Sequence, residues 1–177
     1  MKINHATNAF KIGEFQLRKD GSPNKIYIKY LKNINQDILN DSSGRVYLLV
    51  SNENIMKIGG SMSRGGIKAT LSFYINAQQG GPSQRSWCIH LLIERELKKN
   101  HKVECWMIKN QKVSATIAGL KSKRQCEVAA FKESEDLCKE EYKEKFKNYP
   151  PWNFQENHEK YPSDLTALHR KYMARRG

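Results

Sequence analysis

Two short β-rich runs carry a phenol and an amine at a fixed interval. Tyr47 lies in RVYLLV (45–50) and Lys57 in IMKI (55–58), ten residues further on. The polar Ser51-Asn52-Glu53-Asn54 between them predicts a tight turn and an antiparallel hairpin, with the two side chains on adjacent strands. Glycines and basic residues follow at once in GGSMSRGG, and a carboxylate-rich stretch, SEDLCKEEYKEK, comes late in the chain. Hydrolysis of a phosphodiester asks for such groups. A water must be aligned opposite the leaving oxygen, charge on the phosphoryl oxygens must be neutralised, and the departing alkoxide must be assisted, often by a metal ion. A tyrosine and a lysine on neighbouring strands, cations on the next helix and one carboxylate opposite would meet all three demands.

The elements that must hold these groups can be read on either side of the hairpin. FKIGEFQL and KIYIKYL, joined by KDGSPN with Asp20-Gly21 and Pro23, predict an N-terminal β-hairpin over 10–31. NINQDILNDSSG is a polar connector with room for a short helix. Ile67, Leu71, Tyr74 and Ile75 keep a helical period that Gly80-Gly81 closes. Pro82-Ser83 opens a second helix, whose Trp87, Ile89, Leu91, Leu92, Ile93 and Leu97 give it a broad apolar face. VECWMI (103–108) reads as a third strand, and KVSATIAG (112–119) alternates weakly as a further one. Ser134 is expected to cap a helix stopped before Pro150-Pro151, and Ser163 to cap a last helix with a basic end. The fold class is α+β: a small three-stranded antiparallel sheet flanked by helices, with an added N-terminal β-hairpin and a C-terminal helix.

Composition narrows the partners. Thirty-one Lys and Arg against eighteen Asp and Glu leave a net charge of +13, a self-repulsion that usually answers an acidic partner. Nucleic acid fits better than a membrane surface, because no basic amphipathic helix with a large apolar face is present. No apolar run approaches the roughly 18 residues of a membrane span, and the opening MKINHATNAFKIGEF lacks the apolar core of a secretory signal. Cys88, Cys105, Cys126 and Cys138 form no CxxC pair, which argues against a zinc site and suits reduced thiols in the cytoplasm.

VYLLVSNENIMKIGGS resembles the two-strand signature of the GIY-YIG endonucleases, with VYL in place of GIY and KIG in place of YIG. Lysine in place of the second tyrosine resembles a subgroup of small type II restriction enzymes. Further on, EYKEKFKNYPPWN places Pro150 and Asn153 after Glu141, similar to the carboxylate and proline–asparagine segment of the family. The resemblance spans about 44–155. It implies a catalytic domain there; the N-terminal hairpin arm over 1–43 and the C-terminal basic helix or tail over 156–177 lie outside it.

By this resemblance Tyr47 would activate or orient the attacking water, and Lys57 would bond the nucleophile or hold Tyr47 ionised. The plainer alternatives are a half-buried strand tyrosine and an outward-facing lysine. The family's arginine on the first helix has no counterpart. Eleven residues beyond Lys57 stands Lys68, so Lys68, Arg85 and Arg64 are ranked in that order as the phosphate clamp. Glu141, with Glu140 as fallback, would be the one carboxylate on Mg²⁺ (with Mn²⁺ able to substitute), although its helix could equally be a solvated charged face. Asn153 would brace the site. His90, inside CIHLLIE, reads first as a core histidine and second as a shared base.

The implied activity is Mg²⁺-dependent hydrolysis of double-stranded DNA, of the sequence-specific type II restriction kind. A phage or mobile-element nicking enzyme, or a non-catalytic basic nucleic-acid-binding module, are the alternatives. Arg64, Lys25, Lys29, Arg170 and Lys171 are the expected phosphate contacts. Cutting both strands at a palindrome would take a homodimer.

Overall fold

The computed structural model describes residues 1–108 and 112–176. A 3₁₀ turn (Ile3–His5) leads into β1 (Ala9–Leu17) and β2 (Ile26–Tyr30), followed by a short α1 (Gln36–Asn40). The hairpin β3 (Arg45–Ser51) and β4 (Asn54–Ser61) precedes α2 (Gly66–Ile75), α3 (Gln84–Lys98) and β5 (Val103–Ile108). A second hairpin, β6 (Lys112–Ala118) and β7 (Lys123–Ala129), runs into α4 (Phe131–Phe146), and α5 (Ser163–Ala174) ends the fold.

Five strands form one antiparallel sheet in the order β2-β1-β5-β3-β4. The three expected strands are its β5-β3-β4 side, and the N-terminal hairpin extends it when β1 pairs with β5. β3 is buried along its whole length, which explains why its VYLLV (46–50) is a continuous apolar run rather than an alternating one. Tyr47 and Leu49 point to one face, into a core with Ile67, Leu71 and Tyr74 of α2 and Ile89 and Ile93 of α3. Val46, Leu48 and Val50 point to the other, where Ile58, Ile3 and Tyr142 of α4 cover them. The β3–β4 turn holds Asn52 and Glu53 at φ of 46° and 69°, the left-handed pair that a two-residue hairpin turn requires.

Two local expectations change, and one strand is new. α4 begins at Phe131, one turn before Ser134, whose hydroxyl instead donates to the carbonyl of Ala130 at 2.8 Å. The reason is packing: the Phe131 ring fills the space above Gly44 and Gly60, which draws the helix start forward. Ser163 is the first residue of α5 rather than its cap, with Pro162 preceding it and no side-chain cap. β7, KRQCEVA, carries almost no apolar signal; its strand state comes from pairing with β6. Among the described residues no helix is long and apolar enough to cross a membrane.

Candidate active site

In the β3–β4 ladder Tyr47 stands opposite Gly59, and Leu49 opposite Lys57. Residues paired across a ladder share a face, so Tyr47, Lys57 and Gly59 all lie beneath α2 and α3. A Cβ on Gly59 would come within 2.6 Å of both Cζ and the hydroxyl of Tyr47. Glycine at this place lets the phenol cross β4 beside Lys57. On the other face of the strand, a Cβ on Gly60 would collide with the carboxylate of Glu135. The Gly-Gly pair therefore admits a phenol on one side and a carboxylate on the other, around the free edge of β4.

The Tyr47 hydroxyl lies 2.7 Å from that of Tyr74, on α2. Burial raises the pKa of Tyr47 well above that of an ordinary phenol, with Tyr74 adding to the effect and Arg85 opposing it. Burial also raises Tyr74. Lys57 moves the other way. It is only 6% exposed, and burial lowers its pKa to about 8; Arg85 and Lys139 push in the same direction, while Glu156 and Glu135 oppose.

A carboxylate pair flanks Lys57. The Lys139 ammonium sits 2.6 Å from Glu135 Oε1 and 2.8 Å from Glu156 Oε1, tying α4 to the segment after Asn153. Burial alone would raise Glu156, but Lys139, a backbone N–H and Lys57 together hold it down to about 2. An open groove of about 430 Å³ runs alongside, lined by Lys139, Glu140, Gln155 and Glu156. Arg85, from the first turn of α3, closes the opposite side through a hydrogen bond to Gln155.

Asn153 braces the assembly from beneath. Its amide donates to the carbonyl of Ile58 and accepts from the Ile58 N–H, both at 2.9 Å, and the Trp152 N–H donates to Met56 O at 2.8 Å. The segment thus pairs with the outer edge of β4 from Met56 to Ile58, on either side of Lys57. His90 is fully buried, with Nδ1 2.7 Å from the carbonyl of Tyr74. A carbonyl only accepts, so Nδ1 carries the hydrogen and the ring, its pKa lowered by burial, is neutral. His90 is a brace under Tyr74, as the core reading expected.

The structure therefore brings Tyr47, Lys57, Arg85 and Asn153 together, and leaves other candidates elsewhere. Glu141 is exposed and lines a different cavity, of about 520 Å³, with Leu48, Ile58 and Met1. The cause is helical geometry: six residues at 100° each turn Glu141 about 120° away from Glu135, whereas Lys139 at i+4 stays on its face. Lys68 projects from the outer side of α2 to Gln36 at 2.7 Å. Arg64 is exposed in the loop before α2. Lys25 and Lys29 belong to the β2 edge, the far side of the sheet from β4. Arg170 and Lys171 are exposed on α5, which packs on α3 through Leu165 and Tyr172. Sequence reasoning passed over Tyr74, Glu135, Lys139 and Glu156. The i,i+4 spacing of Glu135 and Lys139 was a signal for one pair; Tyr74 looked like ordinary helix core.

The chemistry of the donor set fits a hard divalent cation. Glu135 and Glu156 converge on one point, now taken by an ammonium, and magnesium asks for one or two carboxylates with water and phosphate oxygens.

No family model matches the chain, and no curated protein matches it. Among solved structures it is similar to a mutant of bacteriophage T4 EndoII, at 20% identity and a TM-score of 0.52, over 85% of this chain and 95% of that one. It is also similar to the restriction endonuclease HPY188I in complex with product DNA, at 18% identity and a TM-score of 0.48, over 84% and 81% of the two chains. The EndoII likeness is one of fold: a mixed α+β arrangement built on an antiparallel sheet.

Proposed function

We propose that the protein is an endonuclease that hydrolyses phosphodiester bonds of double-stranded DNA at the β4 edge. The observation that carries this reading is the convergence of Tyr47, Lys57 and Arg85 with the carboxylates of Glu135 and Glu156 about Gly59-Gly60. A module that only bound DNA would gain nothing from two carboxylates facing phosphate.

Lys57, with a pKa of about 8, is partly neutral near physiological pH and accepts the proton of the attacking water. Tyr47 keeps its proton, since burial raises its pKa, and so orients that water as a hydrogen-bonding group rather than as a base. Arg85 leaves Gln155 to neutralise the phosphoryl oxygens, a task its planar fork suits. Glu135, with Glu156 beside it, would hold Mg²⁺, which when bound supplies charge neutralisation at the leaving oxygen. One such site cuts one strand. Restriction-type cleavage of both strands would take two copies.

Incubation of supercoiled plasmid with the protein and Mg²⁺ should give nicked or linear DNA with discrete ends. Glu135→Gln should reduce cutting by at least about 10-fold, since even outer-shell partners of a metal ion carry that weight, while Glu141→Gln leaves it near wild type. No cutting by the wild type, or equal cutting by both variants, would refute the assignment.

A further inference from the structure

The β6–β7 ribbon has no part in the site described so far. It forms a sheet of its own, and no residue of either strand is buried. Val113 and Ile117 are 42% and 49% exposed, and Leu120, at the tip, is completely exposed. A lone two-stranded hairpin is marginally stable in water, so one that displays apolar side chains is built to be covered.

Three observations identify the cover. The tip is basic: Lys121, Lys123 and Arg124 follow Leu120 around the turn into β7, and among the described residues none of them forms an ion pair. The roots of the ribbon are beside the candidate site. β5 ends at Ile108 opposite Val46, itself opposite Gly60, while β7 leads directly to Phe131, whose ring lies against Gly60. The dimensions also agree. Seven-residue strands reach roughly 20 Å, and a two-stranded ribbon fits the major groove, about 12 Å wide. A second copy of a chain with a net charge of +13 would bring like charges to a basic tip, whereas DNA phosphates complement it.

We propose that the ribbon is a DNA-holding arm that enters the major groove tip first, with Leu120 leading and Lys121, Lys123 and Arg124 on the flanking phosphates. The proposal rests on the endonuclease reading in taking duplex DNA as the ligand. It assigns to the ribbon the task of seating that DNA, so that the scissile phosphate falls at the β4 edge.

The test compares wild type with the triple variant Lys121→Ser/Lys123→Ser/Arg124→Ser and with Leu120→Ser, using a labelled plasmid fragment in EDTA over a salt series. Loss of three phosphate contacts should lower the slope of log affinity against log salt by roughly 2–3. Leu120→Ser should weaken binding several-fold at an unchanged slope, and it keeps the question answerable if the triple variant does not fold. Wild-type affinity and slope in folded variants would overturn the proposal. A wild-type dimer that the variants convert to monomers at unchanged slope would also overturn it, making the ribbon a subunit contact. Failure of wild type to bind or cut duplex would instead count against the endonuclease reading.

Discussion

Lys57 is the side chain whose chemistry depends most on where it is buried. An exposed strand lysine stays charged through physiological pH; at 6% exposure, with Arg85 and Lys139 nearby, this one titrates at about 8. Its folded pKa lies below the unfolded value of 10.5, so between those two values the unfolded chain binds the additional proton and stability rises with pH. Lys57→Met should therefore stabilise the fold at neutral pH by on the order of 3 kcal/mol and flatten the rise between about 8 and 10.5. Urea unfolding on both sides of that window would measure this. The cleavage rate should increase with pH and level off above about 8, and Lys57→Arg, always charged, should be inactive. A rate independent of pH across the same range would rule out Lys57 as the base.

At the scale of elements, β4 is an edge strand that the chain itself covers. The amide of Asn153 takes both the N–H and the C=O of Ile58, as a neighbouring strand would, and Trp152 continues the pairing to Met56. Asn153→Ala leaves two buried backbone groups unpaired, at a cost of about 2–4 kcal/mol. For a chain of this size that corresponds to a melting temperature lower by roughly 5–15 °C, measurable by calorimetry. Gly59 tests a different property of the same strand. Alanine there would push its Cβ against the Tyr47 hydroxyl, 2.6 Å away, and displace the phenol from Tyr74. Gly59→Ala should lose cutting far more than it loses stability, and a variant that cuts normally would show that the position of Tyr47 is unimportant.

Over the whole molecule the charge surplus sets the range of action. A net +13 predicts affinity for any duplex, dominated by phosphate contacts and released counterions. With six or more such contacts, affinity should fall about 10³-fold or more between 50 and 200 mM salt. Fluorescence anisotropy over a salt series checks this, and an affinity insensitive to salt would mean that the surplus serves something other than DNA. The basic candidates are dispersed: Lys25 and Lys29 at the β2 edge, Arg170 and Lys171 on α5, and the ribbon beside the site. Only the ribbon connects directly to α4 and its Glu135.

The sequence by itself determined the α+β class, the hairpin bearing Tyr47 and Lys57, the third strand and the two helices after the glycines. These follow from short-range periods and turn residues, which act over a few positions and can be counted along the chain. Rotation about helix axes and contact between distant segments are not written in any local period. Tertiary structure alone decided that Glu135 rather than Glu141 turns towards Gly60, and that Glu156, one residue past the stretch assigned to the catalytic domain, returns to Lys139. It also decided the protonation of the central pair. Desolvation is a property of the assembled core; it secures the neutral form that Tyr47 already has and drives Lys57 towards a neutral form that a lysine would not favour at an exposed position.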